Sequence, residues 1–221
     1  MNYISRNCLD GFICRDILNV QNNNPFVWNL FPILSFKYLV ENYDNIDFKN
    51  IMVFDDINKF KQYVLNTNDS LLPDIESIEI SRNECYLKNE MYYMLIDNNV
   101  IMYTIHFMYK TMKTKKYCIG CKNGIEALTA TYLHRLERML TCGEDPIFFF
   151  NICEPEYEEI TFNSKYNVIY YTILDNINKD EKYFFKLKPC PDNVVWDVMK
   201  LNDSKQLVEI MKNYSEFNIK D

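Results

Sequence analysis

Cys8 has the setting that best suits a nucleophile among the eight cysteines of this 221-residue chain. It follows Asn7, a good helix N-cap. A helix starting there, over about 8–20, puts the thiol in its first turn, where unpaired N–H groups and the helix dipole stabilise a thiolate. Cys8 falls off the apolar stripe of Leu9, Ile13 and Ile17, and Gly11 leaves room beside it. A thiolate nucleophile needs a base, and the chain has two histidines. His106 stands in an apolar run between Tyr103 and Phe107, where an imidazole must find a hydrogen-bond partner, and is the better base. His134 falls opposite the apolar stripe of its helix and reads as solvated. For a third group to orient the imidazole, Asn151 and Asp145, at the edges of an apolar strand, are both available. The plain alternatives are a packed free cysteine at position 8 and a structural histidine at 106.

Three other constellations compete. Cys118 and Cys121 form a CxxC with His134 following after twelve intervening residues, a zinc-finger gap, but positions 138–140 hold Arg138, Met139 and Leu140 where a fourth ligand belongs. Asp55 and Asp56 end an apolar stretch and could hold a divalent ion for sugar or phosphoryl transfer, with Glu154, Glu156, Glu158 and Glu159 contributing; more often such a pair caps the next helix. The four glycines, at 11, 120, 124 and 143, make no phosphate-cradling loop. Lys110, Lys113, Lys115, Lys116 and Lys122, with Tyr109 and Tyr117, form the basic patch of the chain, suited to an anionic glycan or phosphate or simply to solvent.

The elements that must position these groups follow from periodicity. Helices are expected over about 33–43, after Asp55-Asp56 through Phe60 and Val64, over about 125–141 with Ile125, Leu128, Tyr132, Leu136, Met139 and Leu140 on one stripe, and over about 204–217. Strands are expected at 51–54, then as an antiparallel run at 77–80, 85–87, 91–96 and 100–109, whose last member, apolar on both faces, should be central. Further strands are expected at 146–153, 167–174 and 183–187. This is one α+β domain over 1–221, with 110–124 as the place where two lobes would meet.

Composition bounds the class. Hydrophobic residues at 48% and aromatics at 15% supply a real core, which excludes overall disorder. A net charge of −7 argues against binding nucleic acid through its phosphates. No apolar run approaches the roughly 20 residues of a membrane helix. The first residues lack a secretory pattern, so a cytoplasmic protein (host cytoplasm or virion if viral) with reduced cysteines is expected. Abundant Asn, Lys, Ile and Tyr with scarce Ala fit an AT-rich genome, such as that of a giant virus, bacterium or protist.

The order of short motifs adds a resemblance. Residues 4–8 with Gly11, the corner from Asn24 to Trp28, the stretch from Ile105 to Tyr109, the helix from Tyr132 to Arg138 and the strand from Ile147 to Phe150 occur in sequence. In this the chain resembles, over roughly residues 3–152, a group of bacterial and giant-virus proteins described as papain-like cysteine peptidases, with a sister group labelled as related to exopolysaccharide biosynthesis. The resemblance implies a papain-like cysteine-hydrolase core, with an N-terminal helix packed on a mainly antiparallel sheet. Cys8 would be the nucleophile, His106 the base and a polar group of a following strand, Asn151, the orienting residue. No cofactor or metal is implied, and the substrate would be a peptide, an amide or a glycan-linked acyl group. Val27 and Met108 depart from the pattern, where an acid or a histidine is usual. The alternative class is a non-catalytic binding or accessory protein of surface-glycan biosynthesis, using the Pro25–Trp28 corner and the lysine loop.

Overall fold

The computed structural model describes residues 2–6, 24–27, 29–84, 91–104, 107, 109–172, 174–181 and 183–186. Cys8, His106, Trp28 and the expected elements at 8–20, 85–87 and 204–217 lie outside these residues.

In chain order the elements are β1 (Asn2–Ser5), α1 (Ile33–Asn42), β2 (Ile51–Phe54), α2 (Ile57–Thr67), α3 (Leu72–Glu84), β3 (Tyr92–Ile96), β4 (Val100–Thr104), the single-turn α4 (Tyr109–Met112), α5 (Gly124–Cys142), β5 (Pro146–Asn151), β6 (Val168–Thr172) and β7 (Phe184–Lys186). The chain is thus mixed helix and sheet. Local chemistry sets several boundaries. Asp56 caps α2 by accepting from the Lys59 N–H at 2.9 Å, which gives the Asp55-Asp56 pair its structural use. Asn123 caps α5 by accepting from Glu126 N–H at 2.9 Å, while the Glu126 carboxylate accepts from Lys122 N–H at 2.7 Å. Gly143, at φ +63°, ends α5 in the left-handed conformation.

Two sheets result. One is antiparallel in the order β2-β3-β4, and the other runs β1-β5-β6-β7 with every pairing parallel. The expected mainly antiparallel sheet therefore describes only the first. In the second, long crossovers return each strand in the same sense, as parallel pairing requires. Both sheets obey the two-residue pleat. Tyr92, Met94 and Ile96 face one large core while Tyr93 and Leu95 face a second core under α2 and α3. In the parallel sheet Ile4, Phe148, Phe150 and Tyr170 join the large core, while Tyr3, Phe149, Ile169 and Tyr171 are buried on the opposite face.

Two expected strands are corrected. Residues 77–80 belong to α3, whose Ile75 and Ile78 pack at helical spacing against the antiparallel sheet while Ile80 stays 61% exposed. Of the expected 100–109 strand, β4 takes Val100–Thr104 while Tyr109 opens the helical turn α4, and β3, not β4, is central. The far side of β4 is met by Leu30, which exchanges two backbone hydrogen bonds with Tyr103, at 2.8 and 2.9 Å.

Candidate functional site

Parallel pairing decides which ends of the strands lie together. The Arg6 N–H donates to Phe149 O at 3.2 Å, so the chain leaves β1 beside the carboxyl end of β5. Asn151 closes that end of β5 and is 9% exposed. Asp145 precedes the opposite end, about 20 Å away at ~3.3 Å per strand residue. Of the two residues able to orient an imidazole, Asn151 therefore shares the sheet end from which the chain proceeds toward Cys8, and Asp145 does not. Crevices beyond the carboxyl ends of parallel strands are the usual ligand sites of such sheets.

Arg6 dominates that end. Its guanidinium lies 5.8 Å from the Phe150 ring centre and 5.1 Å from that of Tyr157, and donates to Cys153 Sγ at 3.1 Å. Its Nε is buried with no hydrogen-bond partner. Cys153 itself is exposed. Burial raises the pKa of Glu154, with the neighbouring Glu156 adding to the rise and Arg6 opposing it. Tyr157 is likewise raised by burial. Thr172 Oγ1 donates to Ile152 O at 2.7 Å and steadies the chain just past Asn151.

The corner at 24–31 ties this end to the antiparallel sheet. Asn24 accepts from Phe26 N–H at 2.9 Å and donates its amide to Tyr3 O, fixing the turn against β1. Phe31 N–H then donates to Arg6 O at 2.9 Å, while Leu30 pairs with Tyr103. Two adjacent residues thereby link Arg6, two positions before Cys8, with Tyr103, three positions before His106.

Beside the corner lies a cavity of about 280 Å³. Its walls come from the corner (Pro25, Val27, Asn29), from β4 and the residues after it (Thr104, Phe107, Met112), from Met94, and from one face of α5 (Leu128, Thr131, Tyr132, Arg135). Three of the segments that carry the sequence resemblance meet here. Phe26, fully buried, packs edge-on to Tyr132 with ring centres 6.5 Å apart. The Tyr132 hydroxyl is buried without a partner, and burial pushes its pKa upward.

The remaining candidates settle into structural places. Cys118 is buried against α5, its Sγ 3.6 Å from both Ala127 O and Thr131 Oγ1. Partial desolvation raises the Cys121 thiol, and neighbouring Cys118 adds to the rise. His134 stacks on Tyr117 with ring centres 4.4 Å apart. Among the described residues no group of three or more His, Cys, Asp or Glu side chains gathers as a metal site would need. Within the same residues no helix is long and apolar enough to cross a membrane. Arg6 and Arg135 are the groups that residue-type reasoning passed over. Both lie inside the quoted motifs, yet neither has a spacing that marks it as functional.

No protein-family model and no curated protein matches this sequence. The resemblance to papain-like cysteine peptidases accordingly rests on the order of its short motifs.

Proposed function

We propose that the protein is a thiol hydrolase with a papain-like division of labour: Cys8 the nucleophile, His106 the general base and Asn151 the residue that sets the imidazole tautomer. The observation that carries this reading is the Leu30–Phe31 link, which hydrogen-bonds the backbone just before Cys8 to one side and the backbone just before His106 to the other. The accompanying position of Asn151 at the neighbouring strand end supports its orienting role.

In this mechanism His106 takes the Cys8 proton and the thiolate attacks an acyl or amide carbon. The backbone N–H of Cys8 helps hold the oxyanion, and the imidazolium returns its proton to the leaving amine. Water, deprotonated by His106, then cleaves the thioester and releases a carboxylic acid. The four described cysteines are free thiols, which suits chemistry in a reducing, cytoplasmic setting.

Limiting iodoacetamide at about pH 6, mapped by mass spectrometry, tests it, because an ordinary thiol of pKa about 8.5 is almost wholly protonated there. Selective alkylation of Cys8 that disappears in His106→Ala is the expected result. Uniformly slow labelling would sink the hydrolase reading in favour of a non-catalytic binding module.

A further inference from the structure

The cavity beside the corner is large for a packing defect and small for a macromolecular groove. Protein interiors seldom leave voids bigger than a water, whose share of liquid volume is about 30 Å³, whereas small-molecule sites begin near about 300 Å³. At about 280 Å³ this one admits a single aromatic or short-chain group and excludes a folded partner or an oligosaccharide chain. About half of its wall is apolar, through Pro25, Val27, Met94, Phe107, Met112 and Leu128. Arg135 is the one cation among the described lining residues.

Met112 reaches the cavity wall from the segment 110–122, which holds Lys110, Lys113, Lys115, Lys116 and Lys122 and no acid, in a chain of net charge −7. The nearby Glu126 carboxylate is turned to the Lys122 N–H at the start of α5. A guanidinium in the wall of a half-apolar cavity selects anions with an apolar body.

We propose that this cavity is the substrate-recognition pocket and takes an apolar carboxylate group of the substrate distinct from its scissile acyl carbon, seating an aromatic or short aliphatic body among Val27, Phe107 and Leu128 with that carboxylate met by Arg135. As a statement of substrate class it rests on the hydrolase reading; as a statement of binding it is tested separately.

Isothermal titration calorimetry of phenylbutyrate and its uncharged amide, phenylbutyramide, into the full chain and into Cys8→Ala provides the test. The acid should bind both proteins, with the amide at least about tenfold weaker, the scale of one charge-assisted contact. Arg135→Met should lower the acid to the affinity of the amide. Leu128→Trp should fill the cavity and remove both, and Met112→Trp, at a half-buried wall position, serves if Leu128→Trp does not fold. Absence of binding, equal binding of acid and amide, or undiminished binding to a folded cavity-filled variant overturns the proposal. Cys8 that alkylates selectively beside a chain that binds no phenylbutyrate would remove the pocket and leave the hydrolase. Binding beside an unreactive Cys8 would keep the pocket and remove the hydrolase.

Discussion

Asp74 gives the sharpest quantitative test of how the fold is tied together. It stands in the first turn of α3, is 1% exposed, and its carboxylate faces the start of α1. There it accepts from Leu34 N–H at 3.1 Å, from Ser35 N–H at 2.7 Å and from the Ser35 hydroxyl. The Ser35 oxygen in turn accepts from Ile101 N–H at 2.8 Å, so one carboxylate joins α3, α1 and β4. Asp74→Ala would orphan the Ser35 N–H, which is fully buried, at a cost of about 1–3 kcal/mol. Leu34 is 41% exposed, so water can replace its lost partner, and the loss there is nearer that of a weak cap, about 0.5–1 kcal/mol. The Ser35 hydroxyl keeps its Ile101 contact and forfeits about 0.5–1 kcal/mol. The total is about 3 kcal/mol, or a melting temperature lower by about 6–12 °C for a domain of this size.

Denaturant unfolding of Asp74→Ala and Asp74→Asn measures this, and pH adds an independent check. Burial raises the Asp74 pKa, against the opposing hydrogen bonds from Ser35 and Leu34 and the Arg6 charge. A raised native pKa means that the folded state holds the proton more tightly. The associated stability is complete below the unfolded carboxyl pKa of about 3.9 and is lost as pH rises through the native value. The deficit of Asp74→Asn relative to wild type should therefore be largest in acid and shrink as pH rises. A loss below about 1 kcal/mol in Asp74→Ala would refute the network's role. A deficit that grows with pH would show instead that the three donors hold Asp74 as the anion.

Two further perturbations probe other joints. A Cβ added at Gly124 would lie 1.9 Å from the Tyr92 hydroxyl and 2.6 Å from the ring carbon bearing it, so Gly124→Ala should cost about 1–3 kcal/mol by overpacking. In the double variant with Tyr92→Phe part of that loss should return; strictly additive losses in urea unfolding would disprove the clash. At the surface, hydrogen bonds from Lys165 and Tyr166 hold the Asp44 carboxyl below the usual range. Its small contribution is present above the unfolded pKa and fades as pH falls, and Tyr166→Phe should move its titration, followed by carboxyl NMR, upward; an unmoved midpoint would count against the contact.

Sequence reasoning succeeded where a local signal and the tertiary outcome coincide. α5 is legible because Asn123, Glu126 and Gly143 punctuate a strong apolar stripe, and α2 because Asp56 precedes one. At 77–80 the signals conflicted. The alternation of Ile78 and Ile80 mimics a strand over four residues, while Pro73 and Asp74, both favourable in a helix's first turn, pointed to the helix that forms. The apolar run over 100–109 reads as a central strand because both of its faces are apolar. Two-sided burial, however, reports layers above and below a strand and says nothing about its position within the sheet. The parallel sense of β1 with β5 has no local signature at all, since it depends on where a long connection returns. It decides which end of β5, that of Asn151 or that next to Asp145, lies beside the exit of β1.

The corner at 24–31 shows why an order of weak motifs can carry meaning that no single one has. Asn24 and Phe31 bond to β1, Leu30 bonds to β4, Phe26 inserts against Tyr132 of α5, and Pro25, Val27 and Asn29 line the cavity. Each contact alone is an ordinary turn, bridge or ring pair of about 1 kcal/mol. Together they make the described residues of this corner answer to three separate elements, so a change at one is felt by the others through the shared backbone. Sequence separation hides this junction, because its partners lie near positions 5, 103 and 132. The proposed chemistry and the proposed pocket meet at this junction: its Leu30–Phe31 end links the segments leading to Cys8 and His106, and its Pro25–Asn29 end walls the cavity.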